Sequence, residues 1–152
     1  MDPNLDLALK LAAALLAGGL IGLNRDMHGK PAGIRVHALV ALGAAIIILA
    51  ALDGGSRAAI NPVIQGIVGG IGFLGAGIIM RAEAPGQGLR LHNLTTAATI
   101  WVSAALGIAC GLGEWQLAGA ASVAVVLVLV FGVRLDRWLF GRLGAEEDGG
   151  ER

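Results

Sequence analysis

Five long apolar stretches take up most of this 152-residue chain. They are Leu5–Leu23, Ile34–Leu52, Pro62–Met80, Leu94–Leu112 and Leu117–Val133. As a helix, each stretch is about long enough to cross a hydrocarbon core of ~30 Å, the last one only marginally. Because apolar and polar residues do not alternate within them, the stretches do not resemble the strands of a membrane barrel. The sequence therefore predicts an all-α integral membrane protein with about five transmembrane helices.

The composition disfavours several other classes of protein. Hydrophobic residues make up 56% of the chain and charged residues only 14%. A small soluble domain could not bury that much apolar surface, and a disordered chain needs more charge. The five apolar stretches make the lipid bilayer the expected partner. Because eleven basic and eleven acidic residues cancel in charge, we expect no binding of nucleic acid. We expect one transmembrane domain over residues 1–143 and a short acidic, glycine-rich, flexible tail over residues 144–152.

The basic residues predict the direction of insertion. Nine of them fall on one side of a five-span arrangement: Arg25, Lys30, Arg35, Arg81, Arg90, Arg134, Arg137, Arg142 and Arg152. Only Lys10 and Arg57 fall on the other side. By the positive-inside rule, we expect the N-terminus outside and the C-terminus in the cytoplasm.

Glycines recur four residues apart within three of the predicted helices. The pairs are Gly18 with Gly22, Gly66 with Gly70, and Gly107 with Gly111. Such small-residue faces let helix backbones approach closely, either within one bundle or across the seam of a homo-oligomer such as a dimer. Gly70, Gly72 and Gly75 also spell G-x-G-x-x-G, but no strand precedes them and no acidic residue follows about twenty positions later. We therefore interpret them as helix-packing residues and expect no dinucleotide cofactor.

The fourth predicted helix carries an unusual set of polar residues. Thr95, Thr96, Thr99 and Ser103 recur at three- and four-residue spacing, and Asn93 precedes the helix as its cap. These hydroxyls could bond to their own helix and join neighbouring helices, or they could line a polar seam inside the bundle.

Charged residues also stand at the start of the second predicted helix, where Arg35 and His37 enter the membrane. We expect Arg35 to form a buried ion pair with Asp26 or Glu83, since ionisable groups at membrane depth normally have a partner. We interpret Arg25 as an interfacial arginine that reaches lipid phosphates. Asp26 and Glu83 are also the candidates for a Mg²⁺ site, and no other cofactor is expected. No catalytic set stands at a recognisable spacing, so we do not expect an enzyme.

Three motifs in a fixed order carry a resemblance to a known family. They are G-L-N-R-D-x-x-x-K-P-A-G-I-R-V-H-A-L-V from Gly22, G-I-V-G-G-I-G-F-L-G-A-G-I-I from Gly66, and L-T-T-A-A-T-I-W-V-S-A-A-L-G from Leu94. Together they resemble the MgtC/SapB family of bacterial inner-membrane proteins. Many members of that family add a C-terminal cytoplasmic domain, and the resemblance here covers the membrane domain alone.

The resemblance implies a multi-pass protein of the bacterial inner membrane that takes part in adaptation to low magnesium. It further implies regulation of another membrane complex, such as the F-type ATP synthase, with a small Mg²⁺ transporter or channel subunit as the alternative. Some positions depart from the family pattern. Asn24-Arg25-Asp26 stands where Glu-Arg-Glu is usual, and Asn93 replaces a usual glycine. The positions that matter in virulence members look like Thr95 and Val102, which predicts an ordinary environmental member.

Overall fold

The computed structural model is a bundle of α-helices. It describes residues 2–54, 58, 60–79 and 93–147, with side chains as far as residue 132. Its helices are α1 (Pro3–Met27), α2 (Ile34–Asp53), α3 (Ile60–Ile79), α4 (Leu94–Leu112) and α5 (Trp115–Glu147). Each contains an apolar window of 18 residues that is long enough to cross a membrane. The prediction of five transmembrane helices is confirmed, while the direction of insertion stays a prediction.

Several helices extend beyond the predicted apolar stretches. The first helix continues through Arg25 to Met27, because no glycine or proline interrupts it before Gly29. The third helix begins at Ile60, so Pro62 lies in its first turn, where a missing amide hydrogen breaks no bond. The fifth helix continues to Glu147, since no proline follows the apolar part. The start of the predicted tail at Gly144 therefore lies within α5.

Small residues bring α1, α2 and α4 into close contact at the centre of the bundle. Ala14 on α1, Ala41 and Ala45 on α2, and Ala109 and Cys110 on α4 form one buried cluster. The helix backbones approach so closely here that a methyl group would not fit at several positions. Because lipid is as apolar as these side chains, this close packing replaces the hydrophobic drive that water would supply.

The predicted packing glycines divide into two groups. Four of them lie directly against a neighbouring backbone: Gly18 against His37, Gly22 against Ile34, Gly107 against Ala41 and Gly111 against Ala45. Gly75 is also buried, and a methyl group there would lie 3.7 Å from Ala97 Cβ. By contrast, Gly66, Gly70 and Gly72 on α3 have no described atom within 4 Å of where a Cβ would stand. Packing within the bundle therefore accounts for the first group, and a homo-oligomer seam on α3 stays a prediction.

Helices α3 and α5 lie at the periphery. Among the described residues of α3 only Ile60, Ile67 and Gly75 are buried, and Phe73 is 81% exposed. Between α2 and α3 runs an apolar groove of about 550 Å³, whose walls include Gly43, Gly66 and Gly70. α1, α2 and α4 thus form the core, and α3 and α5 present most of their surface outward.

The glycine contacts predict opposite effects of the same substitution at two positions. Gly107→Ala places a methyl group on the Ala41 carbonyl, so α2 and α4 must separate, at an expected cost of about 1–3 kcal/mol. Gly66→Ala meets open space and improves helix propensity by up to ~1 kcal/mol, so its stability should stay equal or rise. Unfolding midpoints of the detergent-purified variants measure both effects. Equal midpoints for the two variants would contradict the close contact between α2 and α4.

Candidate functional site

Buried polar side chains gather at one end of the bundle, where α1 ends and α2 and α4 begin. Within the part of the chain whose side chains are described, the buried polar or charged residues are Arg25, His37, Thr96, Thr99 and Ser103. We call these five residues the polar cluster. One comes from α1, one from α2 and three from α4, so the cluster forms only when the three core helices pack together.

Arg25 is the charged member of the polar cluster. It lies in the last turn of α1, is only 6% exposed, and donates from Nη2 to Thr96 Oγ1. Its Nε is buried without a hydrogen-bond partner among the described residues. The ion pair that those residues do form, Lys10 with Asp6 at 2.7 Å, lies at the opposite end of α1. The guanidinium of Arg25 therefore has a hydroxyl as a partner where a carboxylate would be expected.

The predictions for Arg25 and Arg35 were both wrong: the arginine expected to be buried is exposed, and the one expected at the membrane surface is buried. Arg35 is exposed and makes no ion pair with Asp26, and Arg25 is buried. The reason is helical phase: His37 points into the bundle, and Arg35, two positions earlier, lies about 200° around α2. The other predicted partner, Glu83, lies outside the described residues.

His37 is fully buried and bonds through both ring nitrogens. Nδ1 lies 3.1 Å from the Gly33 carbonyl oxygen, and Nε2 lies 3.0 Å from Thr99 Oγ1. Thr99 in turn donates to the Thr96 carbonyl oxygen at 2.9 Å. Since carbonyl oxygens only accept, all three bonds form together only when both ring nitrogens carry a proton. In a neutral ring protonated at Nδ1, the Thr99 hydroxyl must turn to donate to Nε2. In a neutral ring protonated at Nε2, the hydroxyl keeps its direction and the bond from Nδ1 to Gly33 is lost instead.

Asp26 caps the second helix. Its side chain is exposed, and its Oδ2 accepts a hydrogen bond from Ile34 N at 3.0 Å, while Gly33 at the N-cap position has no side chain to do so. A Cβ on Gly33 would collide with the Asp26 carboxylate, so glycine is required for this approach. Because this carboxylate compensates the positive end of α2, it has a structural role apart from any metal. The described residues contain no group of three or more His, Cys, Asp or Glu that could hold a metal ion, and Glu83 lies outside them.

The predicted polar face of α4 is only partly inside the bundle. Thr96, Thr99 and Ser103 are buried, and Ser103 donates to the Thr99 carbonyl oxygen at 3.0 Å. Thr95 is exposed, because it lies about 100° around the helix from Thr96. Asn93 stands at the N-cap position in the left-handed conformation (φ 62°), and its side chain makes no capping bond.

A cavity of about 360 Å³ adjoins the polar cluster at the start of α4. Its polar walls come from Asn93 and Thr96, and apolar walls come from Val36 and Ile100. Thr96 thus faces Arg25 and the cavity at once. In the other direction the polar cluster ends at Ser103, beyond which the helices meet through Gly107.

The bonds of Thr99 predict a graded effect of two substitutions. Thr99→Val keeps the shape but leaves His37 Nε2 buried without a partner, so we expect a loss of about 1–3 kcal/mol in folding stability. Thr99→Ser keeps the hydroxyl and should lose less, and Thr95→Val at an exposed position should change little. Unfolding midpoints in detergent measure the order. A midpoint for Thr99→Val equal to that of Thr95→Val would show that the hydroxyl does not support His37.

Comparisons with known proteins identify a family for this chain. The model of the MgtC family matches residues 11–138. SrpB of Synechococcus elongatus is 42% identical over 147 residues, which cover 89% of this chain and 80% of SrpB. The MgtC proteins of Salmonella typhimurium and Brucella abortus are 45% and 44% identical over 122 and 119 residues, which cover 78% of this chain in both cases.

The alignments cover 48% of those two MgtC proteins, so the chain spans about half of their length. No solved structure matches the chain. The family match includes all three motifs, and the long apolar helices make the chain a multi-pass membrane protein. The resemblance is confirmed: the chain belongs to the MgtC family.

Proposed function

We propose that the chain is a non-enzymatic membrane protein that supports adaptation to magnesium limitation by contacting and regulating another membrane complex, such as the F-type ATP synthase. The observation that carries this proposal is the closed end of the polar cluster. Arg25 places a positive charge in the polar cluster, and beyond Ser103 the backbones of α2 and α4 are in direct contact. Both features support a role other than ion passage. The physiological setting is the one that the family resemblance implies.

The charge of the polar cluster is unfavourable for a divalent cation. Mg²⁺ binds oxygen ligands, usually carboxylates and retained waters. Here Arg25 supplies a positive charge, and the hydroxyls of Thr96 and Thr99 are already hydrogen bonded. In surroundings of low dielectric constant, repulsion between Arg25 and an approaching Mg²⁺ is screened far less than in water.

The packing beyond the polar cluster is also too close for an ion path. Gly107 touches the Ala41 backbone, and Gly111 would leave only 3.0 Å between an added Cβ and the Ala45 carbonyl oxygen. Ala14 fills the remaining space from α1 and is fully buried. Between α1, α2 and α4 the described residues therefore offer no room for an ion that keeps several waters.

The outward faces of α3 and α5 are available for lateral contacts. Phe73 on α3 and Val128 on α5 are among the most exposed apolar side chains, at 81% and 69%. The unoccupied surfaces at Gly66, Gly70 and Gly72 would let another helix approach α3 closely, whether from a partner complex or from a second copy.

One observation favours the alternative of a cation transporter or channel subunit. Thr96, Thr99 and Ser103 share one buried face of α4, and hydroxyl groups can replace part of an ion's hydration shell. A path of this kind would have to use surfaces outside the core, for instance between copies of the chain.

Magnesium flux separates the two functions. Liposomes that contain the purified chain should take up Mg²⁺ no faster than protein-free liposomes, with a known magnesium channel as the positive control. The reason is the closed packing behind Ser103. The regulatory proposal would be contradicted if Mg²⁺ uptake exceeded this background, disappeared in Thr99→Val and persisted in Thr95→Val. That result would support a transporter.

The proposed partner is tested with inverted membrane vesicles from a bacterial host. Vesicles from cells that express the chain should show slower ATP-driven acidification than vesicles from cells with an empty vector, at equal amounts of ATP synthase. If the contact lies on α3, Phe73→Ala should restore the rate and Val128→Ala on α5 should not. An unchanged rate with the wild-type chain would exclude the ATP synthase as the regulated complex.

A further inference from the structure

We propose that the apolar groove between α2 and α3 holds an acyl chain of an anionic phospholipid, whose phosphate group lies at Arg35. The site is separate from the lateral contact proposed above, since Phe73 does not line the groove. Failure of the lipid proposal would therefore leave the regulatory role as it stands.

The groove offers an apolar chain a continuous surface along two helices. Its walls are aliphatic side chains and glycines only, drawn from residues 39–47 of α2 and 63–74 of α3. Gly43, Gly66 and Gly70 have no described atom within 4 Å of where a Cβ would stand, so these positions give the groove its depth. Because the walls offer no hydrogen-bond partner, a hydrocarbon chain suits the groove and a polar headgroup does not.

The groove is too narrow to take in a whole helix. Its α2 wall runs for about 12 Å, and its volume is about 550 Å³. A helix about 10 Å across would fill roughly 900 Å³ over the same length. A single extended chain therefore fits inside the groove, whereas a helix would remain partly outside it.

A positive charge stands beyond one end of the groove. Arg35 is exposed, lies in the first turn of α2 and precedes the wall residue Leu39 by four positions. Residues four apart are neighbours on a helix surface, and helical side chains tilt toward the amino end. The guanidinium of Arg35 therefore lies about one turn outward from Leu39, on the side where the groove ends.

The charge of Arg35 complements a lipid phosphate. The acidic residue nearest to it in the sequence, Asp26, accepts a hydrogen bond from Ile34 N and makes no ion pair with Arg35. A guanidinium binds phosphate oxygens through two parallel hydrogen bonds. The ends of spanning helices lie at the depth of lipid headgroups. An anionic phospholipid thus matches both parts of the site, with its phosphate at Arg35 and an acyl chain in the groove.

Binding is measured as the rise in the unfolding midpoint of the full chain in an uncharged detergent. The probes are phosphatidylglycerol and phosphatidylcholine with the same acyl chains, so the headgroups differ in net charge and the chains do not. Phosphatidylglycerol should bind about fivefold more tightly, since one arginine near the membrane surface contributes about that factor. Equal stabilisation by the two lipids, or stabilisation by neither, would overturn the proposal.

One pair of variants tests the charge. Arg35→Gln should remove the preference for phosphatidylglycerol, and its exposed position makes impaired folding an unlikely complication to exclude by the lipid-free midpoint. Lys30→Gln removes the same charge from the turn before α2, away from the groove walls, and should keep the preference. Equal losses in the two variants would show a general attraction to surface charge and no site at Arg35.

A second pair of variants tests the groove. Gly66→Leu places a side chain inside it and should weaken the binding of both lipids about fivefold or more. Gly72→Leu also meets open space on α3 but lies on the wall of a different cavity, and should leave both affinities unchanged. Equal effects of the two leucines would place the acyl chain elsewhere.

Two further results would assign other partners. If the wild-type chain is a dimer that Gly66→Leu converts to a monomer, as light scattering measures, and neither lipid stabilises it, a second copy occupies the groove. Glu83 lies outside the described residues and is the competing negative charge. A preference for phosphatidylglycerol that is absent in the wild-type chain and appears in Glu83→Gln would show that Glu83, and not a lipid, compensates Arg35.

Discussion

The rest of the structure depends on the backbone contact between α2 and α4. Gly107 lies on the Ala41 carbonyl, and Gly111 lies beside Ala45, so the two helices meet with almost nothing between them. A contact without side chains fixes the rotation of α4 about its own axis, since any other face would bring larger residues into the gap. With that rotation fixed, Thr99 and Ser103 must lie inside the bundle.

Hydrogen bonds then fix the positions of α1 and α2 along the axis of α4, which close packing alone does not determine. Dispersion between small side chains is nearly the same after a small slide along the helix, whereas a hydrogen bond is lost after a shift of about 1 Å. His37 bonds α2 to Thr99, and Arg25 bonds α1 to Thr96. The polar cluster therefore aligns both helices on α4. We infer that these residues define one arrangement of the core in a medium where apolar contacts are not selective.

The sequence predicts the helices well because membrane thickness and hydropathy act on long segments. The span α4 begins and ends at the predicted residues, and the spacing of its hydroxyls indicates a polar face before any contact is known. The burial of Arg25 could not be predicted in the same way. The predicted first span ends at Leu23, which leaves Arg25 in a loop, whereas the helix continues to Met27 and keeps Arg25 on the buried face with Ile21.

A helix can continue for one more turn beyond its apolar stretch, as α1 does to Met27, and hydropathy does not predict this turn. The orientation of a charged side chain in that turn is therefore missed. In α1 the buried positions Ala14, Gly18, Ile21 and Arg25 recur at intervals of three and four, so extending the helical period past Leu23 would have identified Arg25. The capping role predicted for Asn93 was wrong, because its side chain makes no capping bond. Its left-handed conformation is one that asparagine adopts more readily than most residues other than glycine.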